Sequence, residues 1–328
     1  MNTFGTAFRV SIFGESHGPQ IGAVLDGVPA GIRLSGEDFE EDIVRRASGA
    51  PGTTPRREPD EPVILSGVLD GHTTGAPLCI TFANTNTHSS DYSLFAATPR
   101  PGHADYVAAA KWDGSSDPRG GGHFSGRLTL PVVAAGVVAK KILAEKVSGA
   151  MCFDAKLIEV GGCGNRLKWP DMLKAAAEEG DSLGGVVECV VGGIPVGLGE
   201  PFWDSVEALV AHAVFSIPGV RGIEFGDGFA AARMKGSEHN DPFGPEGPVK
   251  NGAGGVNGGI SNGAPLHFRV AFKPTSSIRK TQQTWDFSKE EQGTLEVPGR
   301  HDVCFALRTP VIVEAATAIV LADLLKRK

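Results

Sequence analysis

The sequence predicts an α+β chain in which antiparallel sheets pack with core helices, a β-α-β sandwich. Three observations lead there. Short apolar strands are joined by tight turns rather than by crossover helices, the mark of antiparallel pairing. Two long apolar helical stretches each open near a proline, Pro131 and Pro310. Short patterns also recur in the same order in the two halves, so an internal duplication is expected.

The elements follow in order. Residues 8–13 read as a strand and 21–25 as its partner, joined by the turn Gly14-Glu15-Ser16-His17-Gly18. A helix is expected over 36–47, with Ser35 at its cap and Asp38 completing a capping box. Residues 63–69 and 77–82 read as strands around the turn Asp70–Gly75. Residues 83–128 show no clean period, and an irregular stretch of that length in a compact protein is functional or mobile. A buried helix is expected over 131–147, with Pro131 suited to its first turn. In the second half a strand is expected at 186–191, a helix at 203–214, a glycine-rich loop at 236–263, a strand at 266–272 and a closing helix at 310–325.

The repeats are specific residues. Asp26-Gly27-Val28-Pro29-Ala30-Gly31-Ile32 matches Gly192-Gly193-Ile194-Pro195-Val196-Gly197-Leu198 in style. Gly75-Ala76-Pro77-Leu78 recurs as Gly263-Ala264-Pro265-Leu266. With no linker between the halves, residues 1–328 are expected to form a single domain.

Composition narrows the function. Hydrophobic residues make up 41% and charged residues 21%, which excludes global disorder. Glycine, 45 of 328 residues, implies many tight turns and close backbone approaches to a ligand. A net charge of -7 argues against nucleic acid as a partner. The five cysteines are odd in number and carry no C-x-x-C, which fits a reducing, cytoplasmic setting. The N-terminus lacks the charged-then-apolar pattern of a leader, so none is expected. No membrane association is expected either: the apolar run 131–138 is too short, and 310–325 carries Glu314 and Asp323.

The charged residues gather in loops. Arg45, Arg46, Arg56 and Arg57 surround the stretch after the first helix. Arg100, Arg119 and Arg127 fall in the irregular region, and Arg300 lies in Gly299-Arg300-His301-Asp302. Arginine forks match carboxylate and phosphate oxygens, so a small, multiply charged anion is the expected ligand. Histidines stand in four glycine- or arginine-flanked contexts: His17, His103, His123 and His301. Histidine titrates near neutral pH and suits proton transfer. His72, His88, His212, His239 and His267 read as ordinary structural histidines. No spacing suggests a metal.

Three motif matches are set aside. Gly226–Ala231 fits a dinucleotide pattern without a βαβ unit. Gly14–Gly18 and Gly259–Gly263 fit G-x-S-x-G, but neither stands between a strand and a helix as a nucleophile elbow must, although Asp286 and His301 follow the second in hydrolase order. On residues alone a serine hydrolase stays open. So does a flavin- or metabolite-binding protein without turnover.

At Gly14–Gly18, Arg100-Pro101-Gly102-His103-Ala104-Asp105 and Gly299–Asp302 the chain resembles the chorismate synthase family. The resemblance extends through Thr53–Asp60, Ile64–Gly67, Gly120–Arg127 and Lys273–Ser277. It implies a carbon-oxygen lyase that eliminates phosphate and a ring hydrogen from 5-enolpyruvylshikimate 3-phosphate to give chorismate. It also implies a flavoprotein using reduced FMN, with FAD and NADP as allied redox cofactors, NADPH or an external flavin reductase as the source of electrons, and a homotetramer.

Residue by residue, the resemblance makes His17 the proton donor to the leaving phosphate and His103 the support of the reduced flavin. Ser16 and Asp302 relay a proton from the flavin. Arg45, Arg46, Arg100, Arg127 and Arg300 bind substrate. His123, Phe124, Ser125, Gly258, Lys273, Pro274, Thr275, Ser276, Ser277 and Arg300 contact FMN. The chain departs from the family where many members have Arg-Ser-Ser at His123-Phe124-Ser125 and glutamate at Leu128. It also has no basic residue within Ala47–Gly52. The first departure implies a weaker or pH-dependent hold on the flavin phosphate.

Overall fold

The computed structural model describes residues 2–86, 95, 97–147, 150–299 and 301–328. Two antiparallel sheets enclose a layer of helices. In the first sheet β1 (Arg9–Gly14) pairs with β2 (Gln20–Asp26), and the short strand Thr3–Phe4 lies outside β1. After β2 come α1 (Glu40–Arg46), β3 (Val63–Ser66) and β4 (Leu78–Ala83), and the spatial order is β1-β2-β4-β3. After α2 (Asp105–Lys111) and α3 (Thr129–Lys146), the second sheet is built from four more strands. These are β5 (Cys152–Val160), β6 (Gly185–Gly192), β7 (Val220–Phe225) and β8 (Leu266–Phe272), with α4 (Trp169–Glu178) after β5 and α5 (Val206–Phe215) after β6. Their order is β5-β6-β8-β7. Each sheet thus runs first-second-fourth-third strand, with a helix between the second and third. The hairpin β9 (Gln282–Asp286) and β10 (Glu291–Leu295) precedes the closing helix α6 (Pro310–Arg327).

Alternation aims one face of each sheet inward. In β8 Leu266, Phe268, Val270 and Phe272 are buried, and in β6 Gly185, Val187, Cys189 and Val191. Each such apolar side chain gains roughly 1.5–3 kcal/mol over exposure. Helices α3 and α6 are apolar on nearly every side, the pattern of a fully buried helix. Helix α3 packs on the first sheet, α6 on the second, and each on the other. Gly136 makes that contact close: a Cβ there would stand 2.3 Å from the Ala315 Cβ.

A buried charge cluster ties the layers. The Glu314 carboxylate, 1% exposed, accepts from Arg45 Nη1 at 2.8 Å, Lys140 Nζ at 3.1 Å and the Ala155 amide at 3.0 Å. Helices α1, α3 and α6 and strand β5 meet there.

Several expectations need correction. The helix expected over 36–47 opens as a 3-10 turn at Gly36–Phe39, where Asp38 accepts from the Ser35 amide at 2.8 Å as a capping box requires. The helix expected from 203 starts at Val206, because Ser205 Oγ accepts from the Ala208 amide and fixes the cap. The strand over 63–69 splits: β3 stops at Ser66, and Val68–Leu69 pairs with His72–Thr73 across the turn. The irregular region holds α2, and the glycine-rich loop holds two small hairpins. Strand β5, helix α4, strand β7 and the β9–β10 hairpin carried weak sequence signals. Asp154, Lys156 and Glu159 in β5, and Arg221 and Glu224 in β7, interrupt the apolar run.

Replacing Gly136 by alanine is expected to lower unfolding free energy by about 1–3 kcal/mol despite the better helix propensity, because both backbones are buried. Urea unfolding of Gly136→Ala, alone and with Ala315→Gly, checks this. The double variant should recover most of the loss.

Candidate functional site

A cavity of about 950 Å³ opens between the end of α3, the edge of the second sheet and the loops that join them. Residues from six segments line it: 46–60, 100–107, 120–132, 212–221, 273–277 and 301–308. An apolar arm runs past Phe4, Val10, Ile12, Val132 and Ile319.

The polar floor is built on Asp60. Its carboxylate accepts from Arg46 Nη1 at 3.2 Å and forms a close ion pair with Arg127 Nη1. Arg46 donates further to Thr129 Oγ1 at 3.0 Å, and Arg127 to Asn84 Oδ1 at 3.0 Å and the Ala83 carbonyl at 3.1 Å. All three charged side chains are under 10% exposed. Burial, and then the charge of Arg308, pulls Arg46 down to about 9, so it stays cationic at neutral pH. Asp60 holds a left-handed φ of 55°, a conformation aspartate tolerates better than most residues. Two guanidinium groups share one carboxylate, which leaves a buried positive charge for an anion to answer.

His103 stands on the adjoining wall. Its Nδ1 lies 2.6 Å from Asp105 Oδ1, and Asp105 also accepts from Arg100 Nε at 2.8 Å and Nη2 at 2.7 Å. Burial acts to raise Asp105, but the bonds from Arg100 and His103 outweigh it and hold it well below the usual carboxylate range. An ionised Asp105 can only accept, so His103 carries its proton on Nδ1 and leaves Nε2 as the acceptor. Burial also lowers His103, favouring the neutral ring.

Ser16 and His17 lie one layer behind the wall. They are 0% and 8% exposed, beneath Gly120 and Arg56, which do line the cavity. The Ser16 amide donates to the Gly122 carbonyl at 3.1 Å, and Arg56 Nη1 to Ser16 Oγ at 3.3 Å. Gly120, Gly121 and Gly122 all have positive φ, at 62°, 82° and 53°. A Cβ on Gly120 would stand 2.4 Å from the His17 ring, and one on Gly121 3.3 Å from His103 Nε2. Glycine is required here because the chain passes against both imidazoles.

The remaining expected residues divide. Asp302 lines the cavity and accepts from the Thr54 amide and from Arg308 Nη2, both at 2.9 Å. His123, Phe124, Ser125 and the segment Lys273–Ser277 line it too, with His123 Nδ1 2.8 Å from the Gly14 carbonyl. Arg45 does not: it turns to Glu314 and Asp42, since neighbours on a helix point about 100° apart. Gly258 is not a lining residue either; it sits at the turn of the small hairpin Val256–Ser261. Arg300 and His88 lie outside the described residues. His301 lines the cavity with Nε2 3.1 Å from the Pro298 carbonyl. Among the histidines read as structural, His212 lines the apolar arm, edge-on to Phe4.

The hydrolase turn is engaged otherwise. Ser261 Oγ donates to the Pro195 carbonyl at 2.7 Å and accepts from the Leu198 amide, so it pins a hairpin and offers no nucleophile. The expected anion site lacked four partners: Asp60, Asp105, Glu58 and Arg308. The first three stand inside stretches already singled out. Arg308 stands just before the closing helix, where only tertiary contact with Asp302 shows its use.

The chorismate synthase family profile matches residues 8–325. This chain belongs to the chorismate synthase family. A chorismate synthase from Chitinophaga pinensis is 58% identical over 328 residues, covering 98% of this chain and 96% of its own. One from Korarchaeum cryptofilum is 44% identical, covering 99% and 97%. A solved structure titled as the crystal structure of chorismate synthase superposes with a TM-score of 0.72 at 26% identity, covering 98% of this chain and 92% of its own. Chorismate synthases are carbon-oxygen lyases acting on phosphates, and a cavity rich in arginine and histidine suits that chemistry.

Two outcomes are expected. Asp60→Asn keeps the left-handed backbone but strands two buried cations, and should cost about 3–5 kcal/mol in urea unfolding, the usual loss when a buried pair is broken. The second concerns Glu58. Burial acts to raise it, but bonds from Arg56 and Thr85 bring it from 4.5 to about 2. A depressed carboxylate stabilises the fold above its unfolded value and loses that contribution as pH falls. Stability should therefore fall between pH 4.5 and about 2, and less steeply in Glu58→Gln, as unfolding curves across that range will show.

Proposed function

We propose that the protein converts 5-enolpyruvylshikimate 3-phosphate to chorismate and phosphate, with reduced FMN as a cofactor that is not consumed. The observation that carries this reading is the juxtaposition of the Arg46–Asp60–Arg127 floor with the His103–Asp105 pair in one cavity. The substrate carries carboxylates and a phosphate, and the buried positive charge answers them. His17 is the proton source for the leaving phosphate on this reading, and its ring lies behind Gly120, one layer from the cavity. Ser16, fixed by Arg56, orients that histidine's loop. His103 keeps an acceptor nitrogen toward the cavity. Asp302, held at both oxygens, retains lone pairs to take a proton. Arg100 is bound to Asp105 and Ser277, so its main part is to position His103.

The residues fit FMN. Thr275 Oγ1 is buried with no partner among the described residues, and it lines the cavity beside Lys273. Lys273–Ser277, His123, Phe124, Ser125 and Arg300 would hold the cofactor, and Gly258 would contribute only from beyond this cavity. When bound, reduced FMN supplies electron density to the carbon–oxygen bond that breaks, and the walls exclude water from it. Upstream, NADPH or an external reductase provides the electrons.

The protein works, on this reading, as a cytoplasmic homotetramer of single-domain chains. An internal duplication also belongs to the proposal. The repeated strand order supports it, and so does the placement of the sequence repeats: Gly75–Leu78 leads into β4 and Gly263–Leu266 into β8.

Anaerobic incubation with FMN well below substrate tests the function. Many molecules of chorismate and phosphate per flavin, without continuing use of reductant, are expected. One turnover per flavin would point to an ordinary oxidoreductase, and undiminished turnover without flavin would overturn the reading.

A further inference from the structure

Among the described residues seven lysine or arginine side chains line the cavity, and five have a carboxylate. Arg46 and Arg127 share Asp60, Arg56 has Glu58, Arg100 has Asp105 and Arg308 has Asp302. Arg221 and Lys273 have none among the described residues. Lys273 Nζ donates to the Gly102 carbonyl at 2.8 Å and to Ser276 Oγ, and Arg221 makes no hydrogen bond or ion pair among the described residues.

The backbone accounts for the placement of Arg221. Val220 pairs with Phe272 and Gly222 with Ala271, so Arg221 is the extra residue of a β-bulge. In a regular strand, neighbouring side chains point to opposite faces. Here Val220 and Arg221 both line the cavity, and a bulge is the device that re-aims a side chain in this way. The Lys273 amide donates to the Gly219 carbonyl at 2.8 Å, which sets the two cations beside one another at the strand ends. Burial, and then the charge of Arg221, lowers the Lys273 ammonium, as two like charges in proximity must. Two adjacent cations with no counter-charge among the described residues suit a dianion.

We propose that Arg221, beside the Lys273–Ser277 segment already assigned to the cofactor, is the residue that selects a phosphate dianion in this cavity. The proposal rests on the functional reading above, which brings two such esters to the cavity, the cofactor and the substrate. Arg221 supplies a planar fork of donors, Lys273 a point charge and the orphaned Thr275 Oγ1 a hydroxyl.

The test compares wild type, Arg221→Gln and Arg221→Lys at one ionic strength. Affinities for oxidised FMN and riboflavin are read by flavin fluorescence, affinity for 5-enolpyruvylshikimate 3-phosphate by calorimetry, and stabilisation by inorganic phosphate from the shift in Tm. If the subsite takes the cofactor phosphate, Arg221→Gln weakens FMN by about tenfold or more while riboflavin is unchanged, and Arg221→Lys recovers part of the loss. If it takes the substrate phosphate, both flavins bind as before and substrate affinity falls by a similar factor. Either result, with loss of the phosphate-induced Tm shift, supports the subsite. Equal affinities for all ligands and an equal phosphate shift in Arg221→Gln overturn it. A wild type that binds neither flavin nor substrate would defeat the functional reading, and the phosphate arm would still decide the role of Arg221.

Discussion

The carboxylate of Asp60 is the contact on which the cavity depends. It comes from an extended loop and reaches two arginines that the chain delivers from different places, Arg46 at the end of α1 and Arg127 just before α3. Without it those guanidinium groups would repel each other in a space with little water to screen them. With it, the loop after α1, the glycine turn and the end of β4 are drawn onto one floor, because Arg127 also binds the Ala83 carbonyl. The price is a surplus positive charge, and that surplus is what an anionic ligand meets.

The other charged groups follow the same arrangement. Most cations in the cavity are aimed by a carboxylate before any ligand arrives: Arg100 by Asp105, Arg56 by Glu58 and Arg308 by Asp302. Each pair also joins segments or steadies a loop, as Asp302 does when it takes the Thr54 amide. Side chains held in this way need little reordering on binding, which lowers the entropic cost of recognition. The fold beneath supplies rigidity, since α3 and α6 are buried along nearly their whole length.

The sequence made some of this legible and hid the rest for physical reasons. The strands at β2, β4, β6 and β8 were visible because they are buried and apolar, and α3 and α6 because they are apolar on nearly every side. Strands β5 and β7 were hidden because charged residues interrupt their apolar runs. His17, His103 and Asp302 could be singled out from glycine-flanked turns and family motifs. Their partners were harder, since Asp60 and Arg308 look like any charged residue until a contact distant in sequence gives them a use. Arg45 and Arg46 are adjacent and chemically alike, and only helix geometry separates the one that faces Glu314 from the one that faces the cavity.

Gly120–Gly122 carries a consequence for how this protein can change over time. Any single-nucleotide change that replaces a glycine gives a residue with a side chain or a stop codon. At Gly120 and Gly122 such a side chain would meet the His17 ring and the Asp117 carbonyl, and the positive φ values leave no relaxed alternative. This stretch is therefore closed to gradual drift, while an exposed aromatic residue nearby that does not line the cavity, such as Trp112, is free to vary. Lineages that adjust the ligand preferences of this cavity must do so at its rim.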